Sequence, residues 1–165
     1  MEFKTYTREY YTDGSCLGNP GSGGYGVALF SNGKFDYKFY GKNNSTTNNR
    51  MELTAIIEAL KDIKRFYKNE NCIIYTDSAY CCNMLNAWIY KWAEREWVNE
   101  KDEPIKNLDL VKEAFELVRR LPNVDIVKVK GHDTDIRNEL VDAIATNNIK
   151  KYYEIFTSEK FEKFF

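Results

Sequence analysis

Apolar and polar residues alternate along much of the first forty positions of the chain. A period of two is typical of β-strands that bury one face. The stretch "SNGK" at residues 31–34 contains Asn-Gly, the dipeptide that favours a two-residue β-hairpin, so the strands on either side should be antiparallel neighbours. The pattern predicts strands over residues 6–13, 24–30 and 34–41.

The period changes to that of a helix from Asn49 onward. Leu53, Ile56 and Leu60 recur at the spacing of one helical face. Strands are predicted further along over residues 72–77 and 124–131, and helices over residues 108–121 and from about residue 137. Strand–helix alternation after an initial hairpin predicts an α/β fold, with a mixed five-stranded sheet, its first three strands antiparallel, and helices on both faces.

Composition indicates one packed domain over residues 1–165, of which about 146–165 form a C-terminal extension. The chain has 165 residues, and its 24 basic and 25 acidic residues give a formal net charge of −1. No global positive field therefore favours nucleic acid. The 12 Tyr, 10 Phe and 3 Trp suit a packed core rather than a disordered chain. The aromatic tail over residues 152–165 either packs as a final helix or frays.

Neither a membrane span nor a secretory signal is predicted. No segment approaches the ~18 consecutive apolar residues that crossing a bilayer requires. The N-terminal stretch "MEFKTYTREYY" lacks the apolar centre of a signal peptide. We therefore expect a cytoplasmic protein with no membrane partner.

The cysteines and histidine do not form a zinc-binding pattern. The sequence contains no C-x-x-C pair, and His132 is the only histidine. Cysteines in such a setting usually act as small apolar side chains. We expect all four cysteines to be reduced thiols.

Gly21, Gly23 and Gly26 satisfy the spacing G-x-G-x-x-G of dinucleotide-binding turns. Such a motif follows a strand and opens a helix, whose N-terminus binds the pyrophosphate. Here the glycines run directly into "YGVALF", which has the pattern of a strand. No dinucleotide site is expected, and the glycine run is predicted to be a flexible hairpin connection.

Four acidic residues stand at positions where an α/β sheet forms a site. Asp13 ends the first predicted strand and Asp77 ends the fourth, and sites form beyond the carboxyl ends of adjacent strands. Glu52 lies in the first turns of a predicted helix, and Asp142 lies in the last one. Each residue taken alone has an ordinary explanation as a turn, a cap or a solvated carboxylate.

Taken together, the motifs resemble those of ribonuclease H type 1. The segments are "YTDGSCLGNPGSGGYG", "TTNNRMELTAIIEAL", "IYTDSAY" and "VKGHDTDIRNELVDAIA". They resemble the signature segments of this family in order and in spacing. The stretch "WIYKWAEREWVNEKDEPIKNLDL" resembles it too, so the similarity runs from about Tyr11 to about Ala145. The resemblance implies the ribonuclease H-like fold.

The resemblance implies an endonuclease that hydrolyses the RNA strand of RNA–DNA hybrids and leaves 5′-phosphate and 3′-hydroxyl ends. It also implies two Mg²⁺ ions, which Mn²⁺ can replace, held by Asp13, Glu52, Asp77 and Asp142. Two divalent ions can activate water and stabilise the leaving oxygen, and oxygen ligands select Mg²⁺ or Mn²⁺ over zinc. Clustered carboxylates repel one another until cations arrive.

Further roles also follow from the resemblance. His132 stands where the family has a mobile histidine that assists proton movement or product release, and Glu139 matches a further glutamate near the metals. RNA is recognised through its 2′-hydroxyls in the minor groove. The residues that match substrate-binding positions are Cys16, Asn19, Asn48 and Asn49 in this groove, Thr47 and Asn107 around a DNA-strand phosphate, and Trp88 and Trp92 in a deoxyribose channel. A monomer is expected.

The segment Trp88–Asn107, called the handle below, departs from the family pattern. Family members that have this segment commonly make it basic, whereas here four basic residues face five acidic ones, for a net charge of −1. Ser45 stands where an arginine is often found. Phosphate neutralisation supplies much of non-specific affinity, so hybrid binding should be weaker and less salt-sensitive.

Two other classes of function stay open. A metal-dependent DNA nuclease of the same fold, such as a resolvase or integrase, would share paired acids but not "TTNNRMEL" or the tryptophan pair. A non-catalytic hybrid-binding module would normally have lost at least one of the acids. Cleavage of a labelled hybrid, compared with an RNA duplex and a DNA duplex, distinguishes the three classes.

Overall fold

A computed structural model describes residues 4–129 and 135–165 of the chain. Its centre is a five-stranded sheet in the order β3-β2-β1-β4-β5. The strands are β1 (Arg8–Gly18), β2 (Gly21–Ser31), β3 (Lys34–Thr46), β4 (Cys72–Thr76) and β5 (Val124–Lys128). β2 is antiparallel to β1 and β3, whereas β4 is parallel to β1 and β5. The predicted mixed sheet, with three antiparallel strands first, is confirmed.

Helices follow the strands on both faces of this sheet. They are α1 (Asn48–Phe66), α2 (Ala79–Asn83), α3 (Ile89–Glu94), α4 (Leu108–Val118), α5 (Ile136–Ala145) and α6 (Ile149–Phe156). A π-helical turn (Met84–Trp88) joins α2 to α3, and a 3₁₀ helix (Glu159–Phe164) follows α6. Among the described residues, no helix combines the length and the apolar character needed to cross a bilayer.

Successive residues of the central strands build two separate cores, because side chains of a strand alternate between its faces. Tyr10 and Leu29 belong to a cluster with residues of α1 and α4. Tyr11 and Phe30 belong to a second cluster with residues of α5 and the C-terminal extension. The middle of β1 and of β2 is therefore buried on both faces of the sheet.

The glycine-rich run is a strand, so the prediction of a flexible connection was wrong. β1 and β2 pair along their whole length, and only residues 19–20 lie between them. The glycines lie where α5 crosses the sheet. A Cβ atom at Gly24 would be 2.6 Å from the carbonyl oxygen of Ala145, and one at Gly26 would be 2.8 Å from Cγ2 of Ile144. Glycine thus lets α5 pack directly on the backbone of β2.

The C-terminal extension packs against the sheet instead of fraying. Phe161 is fully buried and its ring centroid lies 6.1 Å from that of Phe30 and 5.5 Å from that of Phe156. The guanidinium of Arg137 lies 4.9 Å from the ring centroid of Phe164 and 4.7 Å from that of Tyr11. These contacts join the extension, α5 and β1 into the second core.

Candidate active site

Three carboxylates meet at one edge of the sheet. Asp13 lies on β1, Asp77 directly follows β4, and Glu52 lies near the start of α1. One oxygen of each lies within 4.8 Å of the others. The parallel pairing of β1 with β4 ends at Tyr11 and Tyr75, so both aspartates come two residues past it. The structure therefore brings these residues together at the ends of adjacent strands, as predicted.

Gly14 lets Glu52 approach Asp13 so closely. At this glycine β1 passes directly against the first turns of α1. A Cβ atom would collide with backbone atoms of Met51 and Glu52. Any larger residue would therefore push the strand and the helix apart, and with them the two carboxylates.

Asp142 lines the same cleft from the opposite side. It lies on α5, in the half of that helix that packs on the glycines of β2. The cleft has a volume of about 390 Å³, and Asp13, Glu52, Asp77 and Asp142 all line it. Oδ2 of Asp142 also accepts a hydrogen bond of 2.9 Å from Nζ of Lys151. The structure thus places all four predicted acids around one cavity.

Burial and mutual repulsion favour the protonated forms of two carboxyls. Asp13 is only 5% exposed, and its burial, together with the charge of Asp77, raises its pKa well above the ordinary value. Burial raises the pKa of Glu52 as well, and the charges of Asp13 and Asp77 raise it further. Desolvation and like charges both disfavour an ionised carboxylate. The cluster therefore binds protons that a metal ion would displace.

The donor set of this cluster fits a hard divalent cation. Oε2 of Glu52 is buried and accepts no hydrogen bond from any described residue. A buried polar atom without a partner is costly, and a cation beside it would remove that cost. The three clustered ligands, Asp13, Glu52 and Asp77, offer carboxylate oxygens only. Such oxygens suit Mg²⁺ or Mn²⁺ better than zinc.

The residues predicted to contact the RNA strand lie beside the cleft. Asn48 and Asn49 line it together with the carboxylates. The backbone N–H of Asn48 donates a hydrogen bond of 3.2 Å to Oδ1 of Asn19, and Sγ of Cys16 lies 3.3 Å from the carbonyl oxygen of Thr46. The β1–β2 hairpin is thus tied to the N-terminus of α1, and neutral polar groups surround the entrance.

Thr47 and Asn107, the predicted phosphate-binding pair, lie on either side of Arg50. Thr47 caps α1 by accepting a hydrogen bond of 3.2 Å from the backbone N–H of Arg50. The guanidinium of Arg50 donates to Oδ1 of Asn107 at 3.3 Å and to both carboxylate oxygens of Asp109 at 3.0 and 2.7 Å. The guanidinium of Arg50 therefore lies beside the two residues predicted to bind a phosphate.

Trp88 and Trp92 lie together at the start of the handle. Their ring centroids are 6.1 Å apart, and Trp88 is 38% exposed, whereas Trp92 packs partly against the main core. Both line a second, larger cleft of about 710 Å³. Its other lining residues mix charges of both signs: Lys91, Glu94, Arg95, Glu100, Lys101 and Glu103, together with Asn99. The tryptophans therefore form an apolar floor between charged walls.

Comparison with known proteins assigns the chain to a family. The family model described as "RNase H" matches residues 6–150. The chain belongs to the ribonuclease H family. A ribonuclease H of Caldanaerobacter subterraneus subsp. tengcongensis is 43% identical over 145 residues, which cover 87% of this chain and 92% of that protein. The resemblance of the sequence motifs to ribonuclease H is thereby confirmed.

Solved structures of other proteins share the fold. LC9-RNase H1, described as a type 1 RNase H with the type 2 active-site motif, matches with a TM-score of 0.75 and 28% identity. The match covers 98% of this chain and 85% of that one. The foamy viral protease-reverse transcriptase, solved in complex with an RNA/DNA hybrid, matches with a TM-score of 0.79 over 93% of this chain and 22% of that one. At 22% identity, this second match shows the fold alone.

Two residues that the resemblance singles out, His132 and Glu139, are not part of the cleft lining as the structure describes it. His132 lies outside the described residues, so its predicted role stays a prediction. Glu139 lies in the first turn of α5, one helical turn before Asp142, and is not among the described residues that line the cleft. Of the predicted catalytic residues, the described part of the chain thus brings the four carboxylates together around the cleft.

Sequence reasoning missed two features of the site. Lys151, which is paired with Asp142, lies outside the motifs that indicate the site. Asp142 and Lys151 are nine residues apart, a spacing that matches neither a helix nor a strand, and only the turn between α5 and α6 joins them. Arg50 was also missed, because its contact with Asn107 spans 57 positions of sequence.

Proposed function

We infer that this protein is a metal-dependent endonuclease that hydrolyses the RNA strand of RNA–DNA hybrids. The observation that carries this inference is the cleft formed by Asp13, Glu52, Asp77 and Asp142 in a chain of the ribonuclease H family. The carboxylates come from β1, α1, the end of β4 and α5, so the whole fold converges on one cavity. The expected products carry 5′-phosphate and 3′-hydroxyl ends.

Asp13, Glu52, Asp77 and Asp142 are the residues that would hold the metal ions. When bound, two divalent ions supply an activated water and charge stabilisation for a phosphodiester hydrolysis. The chain itself contributes an anionic cavity that is costly to leave empty, since Oε2 of Glu52 has no partner among the described residues. We propose Mg²⁺ as the physiological ion, with Mn²⁺ able to replace it.

Neutral groups beside the cleft account for the choice of an RNA strand. Asn48 and Asn49 border the carboxylates, and Cys16 and Asn19 lie on the adjoining hairpin. Amide groups can donate to and accept from a 2′-hydroxyl, which distinguishes RNA from DNA at a given site. Thr47, Asn107 and the tryptophan pair would hold the DNA strand, and His132 would assist proton movement.

We propose that the enzyme acts as a monomer on free hybrid, in the cytoplasm and without a membrane partner. The near-neutral charge of the chain suits a protein that does not bind nucleic acid indiscriminately.

Cleavage of three labelled 20-base-pair duplexes tests the proposal. An RNA–DNA hybrid, an RNA duplex and a DNA duplex of one sequence are incubated with the protein and Mg²⁺, and the ends of the products are mapped. Cleavage of the RNA strand of the hybrid alone is the expected result. Cleavage of the DNA duplex would indicate a DNA nuclease of the same fold. Binding of the hybrid without cleavage, in Mg²⁺ or Mn²⁺, would indicate a non-catalytic module.

A further inference from the structure

The fourth carboxylate of the cleft is paired with a cation that the chain itself supplies. Nζ of Lys151 lies 2.9 Å from Oδ2 of Asp142. The clustered residues Asp13, Glu52 and Asp77 form no such ion pair with any described residue. Lys151 is also the first residue beyond the part of the chain that the family model matches. The contact is therefore a feature of this chain's extension.

A tight turn between α5 and α6 places Lys151 beside Asp142. α5 ends at Ala145, and Asn147 then adopts the left-handed conformation, with φ of 56°. Asn148 caps α6, since its Oδ1 accepts a hydrogen bond of 3.1 Å from the backbone N–H of Lys151. The first turn of α6 is thus set against α5.

Aromatic contacts hold α6 in this place. The ring of Tyr152 stacks on that of Phe156 at 5.5 Å between centroids, and Phe156 packs on the fully buried Phe161. Nζ of Lys38 on β3 lies 4.8 Å from the ring centroid of Tyr152. The backbone that carries Lys151 is therefore anchored, while the side chain of Lys151 is 39% exposed and can turn toward solvent.

The ion pair and a bound metal ion require the same carboxylate. An ammonium group 2.9 Å from Oδ2 occupies one of the oxygens of Asp142. It also adds a positive charge at the wall of an anionic cavity, where it opposes the approach of another cation. A divalent ion that binds Asp142 must therefore compete with the ammonium group of Lys151 for this carboxylate.

We propose that Lys151 is the counter-ion of Asp142 in the metal-free protein and that metal binding displaces it. This inference rests on the proposed function, in which Asp142 is a metal ligand. Lys151 is then a positioning residue with two opposite effects. It relieves repulsion among the carboxylates when metal is absent, and it weakens the affinity of the site for metal. A lysine with a merely structural role would not couple these two effects.

The test compares the substitution Lys151→Met with Lys150→Met and Lys151→Arg. Methionine keeps an unbranched apolar stem but removes the charge, and Lys150 is the adjacent exposed lysine, which forms no ion pair with any described residue. Arginine at position 151 keeps the positive charge, so this second variant should retain the ion pair with Asp142. Binding of Mg²⁺ alone, without nucleic acid, is measured by NMR titration, and melting temperatures are measured in chelator and in excess Mg²⁺.

The expected result is a coupled change in Lys151→Met only. Its dissociation constant for Mg²⁺ should fall by about two- to fivefold, which is the range of a partly exposed ion pair. Its melting temperature in chelator should fall, and the rise that Mg²⁺ produces should become larger. Lys150→Met and Lys151→Arg should behave like the parent protein.

Each of the other outcomes would contradict either the role of Lys151 or the proposed function, and the outcomes distinguish these two cases. Equal Mg²⁺ affinity in all four proteins would show that Lys151 does not compete with metal, while the metal site itself would stand. Weaker Mg²⁺ binding by Lys151→Met would show that the lysine supports Asp142 as a ligand, against this inference. An absence of Mg²⁺ binding in every protein, together with uncleaved hybrid, would end the proposed function itself.

Discussion

The carboxylate cleft and the handle both contain several acidic residues, but they arrange them in opposite ways. In the cleft, oxygens of Asp13, Glu52 and Asp77 lie within 4.8 Å of one another, with burial added to the repulsion. In the handle, acids and bases are interspersed on an exposed surface, and Arg95 pairs with Asp102 at 3.2 Å. The first arrangement accumulates negative potential, whereas the second cancels it locally.

This difference shows that a count of charges does not reveal where an electrostatic function lies. The whole chain has a net charge of −1, and so has the handle. Yet four carboxylates line one cleft of about 390 Å³. Packing of glycine-bearing strands against helices keeps these carboxylates close together, since Gly14, Gly24 and Gly26 each leave room for a helix backbone or side chain. The charged side chains of the handle are exposed instead, so residues of opposite sign can pair, as Arg95 and Asp102 do.

The largest effect should follow from removing one charge from the cleft. Asp13→Asn or Asp77→Asn should reduce hybrid cleavage by at least about ten- to a hundredfold, since loss of even an outer partner of a metal ligand costs that much. Metal-free stability should be unchanged or higher, because repulsion within the cluster falls. Cleavage rates and chelator-treated urea unfolding curves measure the two effects. Asp36→Asn, on β3 and outside the cleft lining, is the control and should cleave like the parent protein. Parent-like cleavage by Asp13→Asn would show that Asp13 takes no part in the reaction.

Disturbing the packing that maintains the cleft should have the next largest effect. Gly14→Ala places a Cβ atom against the backbone of α1 and should destabilise the fold by about 3 kcal/mol or more, at the upper end of overpacking costs. Gly33→Ala is the control, because Gly33 has φ of 82° but nothing within 4 Å of a Cβ atom. It should cost only about 1 kcal/mol of backbone strain. Urea unfolding measures both, and similar losses in the two variants would contradict the steric argument.

The pH dependence of stability should reveal the crowding in the cleft. The folded pKa values of Asp13 and Glu52 lie above those of the unfolded chain, so the folded state binds more protons. Metal-free stability should therefore fall as pH rises above about 4, the ordinary carboxyl pKa, and continue to fall until the raised folded pKa values are passed. Urea unfolding in chelator between pH 5 and pH 8 measures this slope.

Glu52→Gln is the matched variant for this measurement. Its slope of stability against pH should be shallower, because one of the two protons is removed from the linkage. Excess Mg²⁺ should flatten or reverse the slope of the parent protein, since the metal favours the ionised carboxylates. An identical slope in parent and variant would show that Glu52 does not carry the raised pKa.

The smallest effect should come from recharging the handle. Replacing Glu94, Glu96, Glu100 and Glu103 by lysine moves the handle from a net charge of −1 to +7. If the handle lies along the hybrid, the slope of log affinity against log salt should steepen by up to about 0.9 per new phosphate contact. The turnover number should change little, because such contacts contribute uniform binding.

A variant with glutamine at the same four positions provides an intermediate control. It removes the negative charges without adding positive ones, so its salt slope should fall between those of the parent and the four-lysine variant. Affinities are measured by titration of a labelled hybrid at several salt concentrations. Unchanged Michaelis constants and salt slopes in both variants would show that the handle faces solvent or another partner.

Local pattern and motif order determined most of the framework of this protein. The alternation around Asn-Gly, the helical spacing after Asn49 and the apolar run before Asp77 depend on near neighbours in sequence. Each has a period that backbone geometry imposes, so each could be recognised without coordinates. The four acids could be selected because their order and spacing resemble those of one family.

Contacts between distant segments were decided by the folded arrangement alone. The glycines of β2 form a strand and not a flexible connection, and they admit α5, which follows more than a hundred positions later. Arg50 reaches Asn107, and Lys151 reaches Asp142, through the packing of α4 and the turn before α6. A side chain's partner across a turn or a sheet depends on where whole elements pack, and no local period records that position.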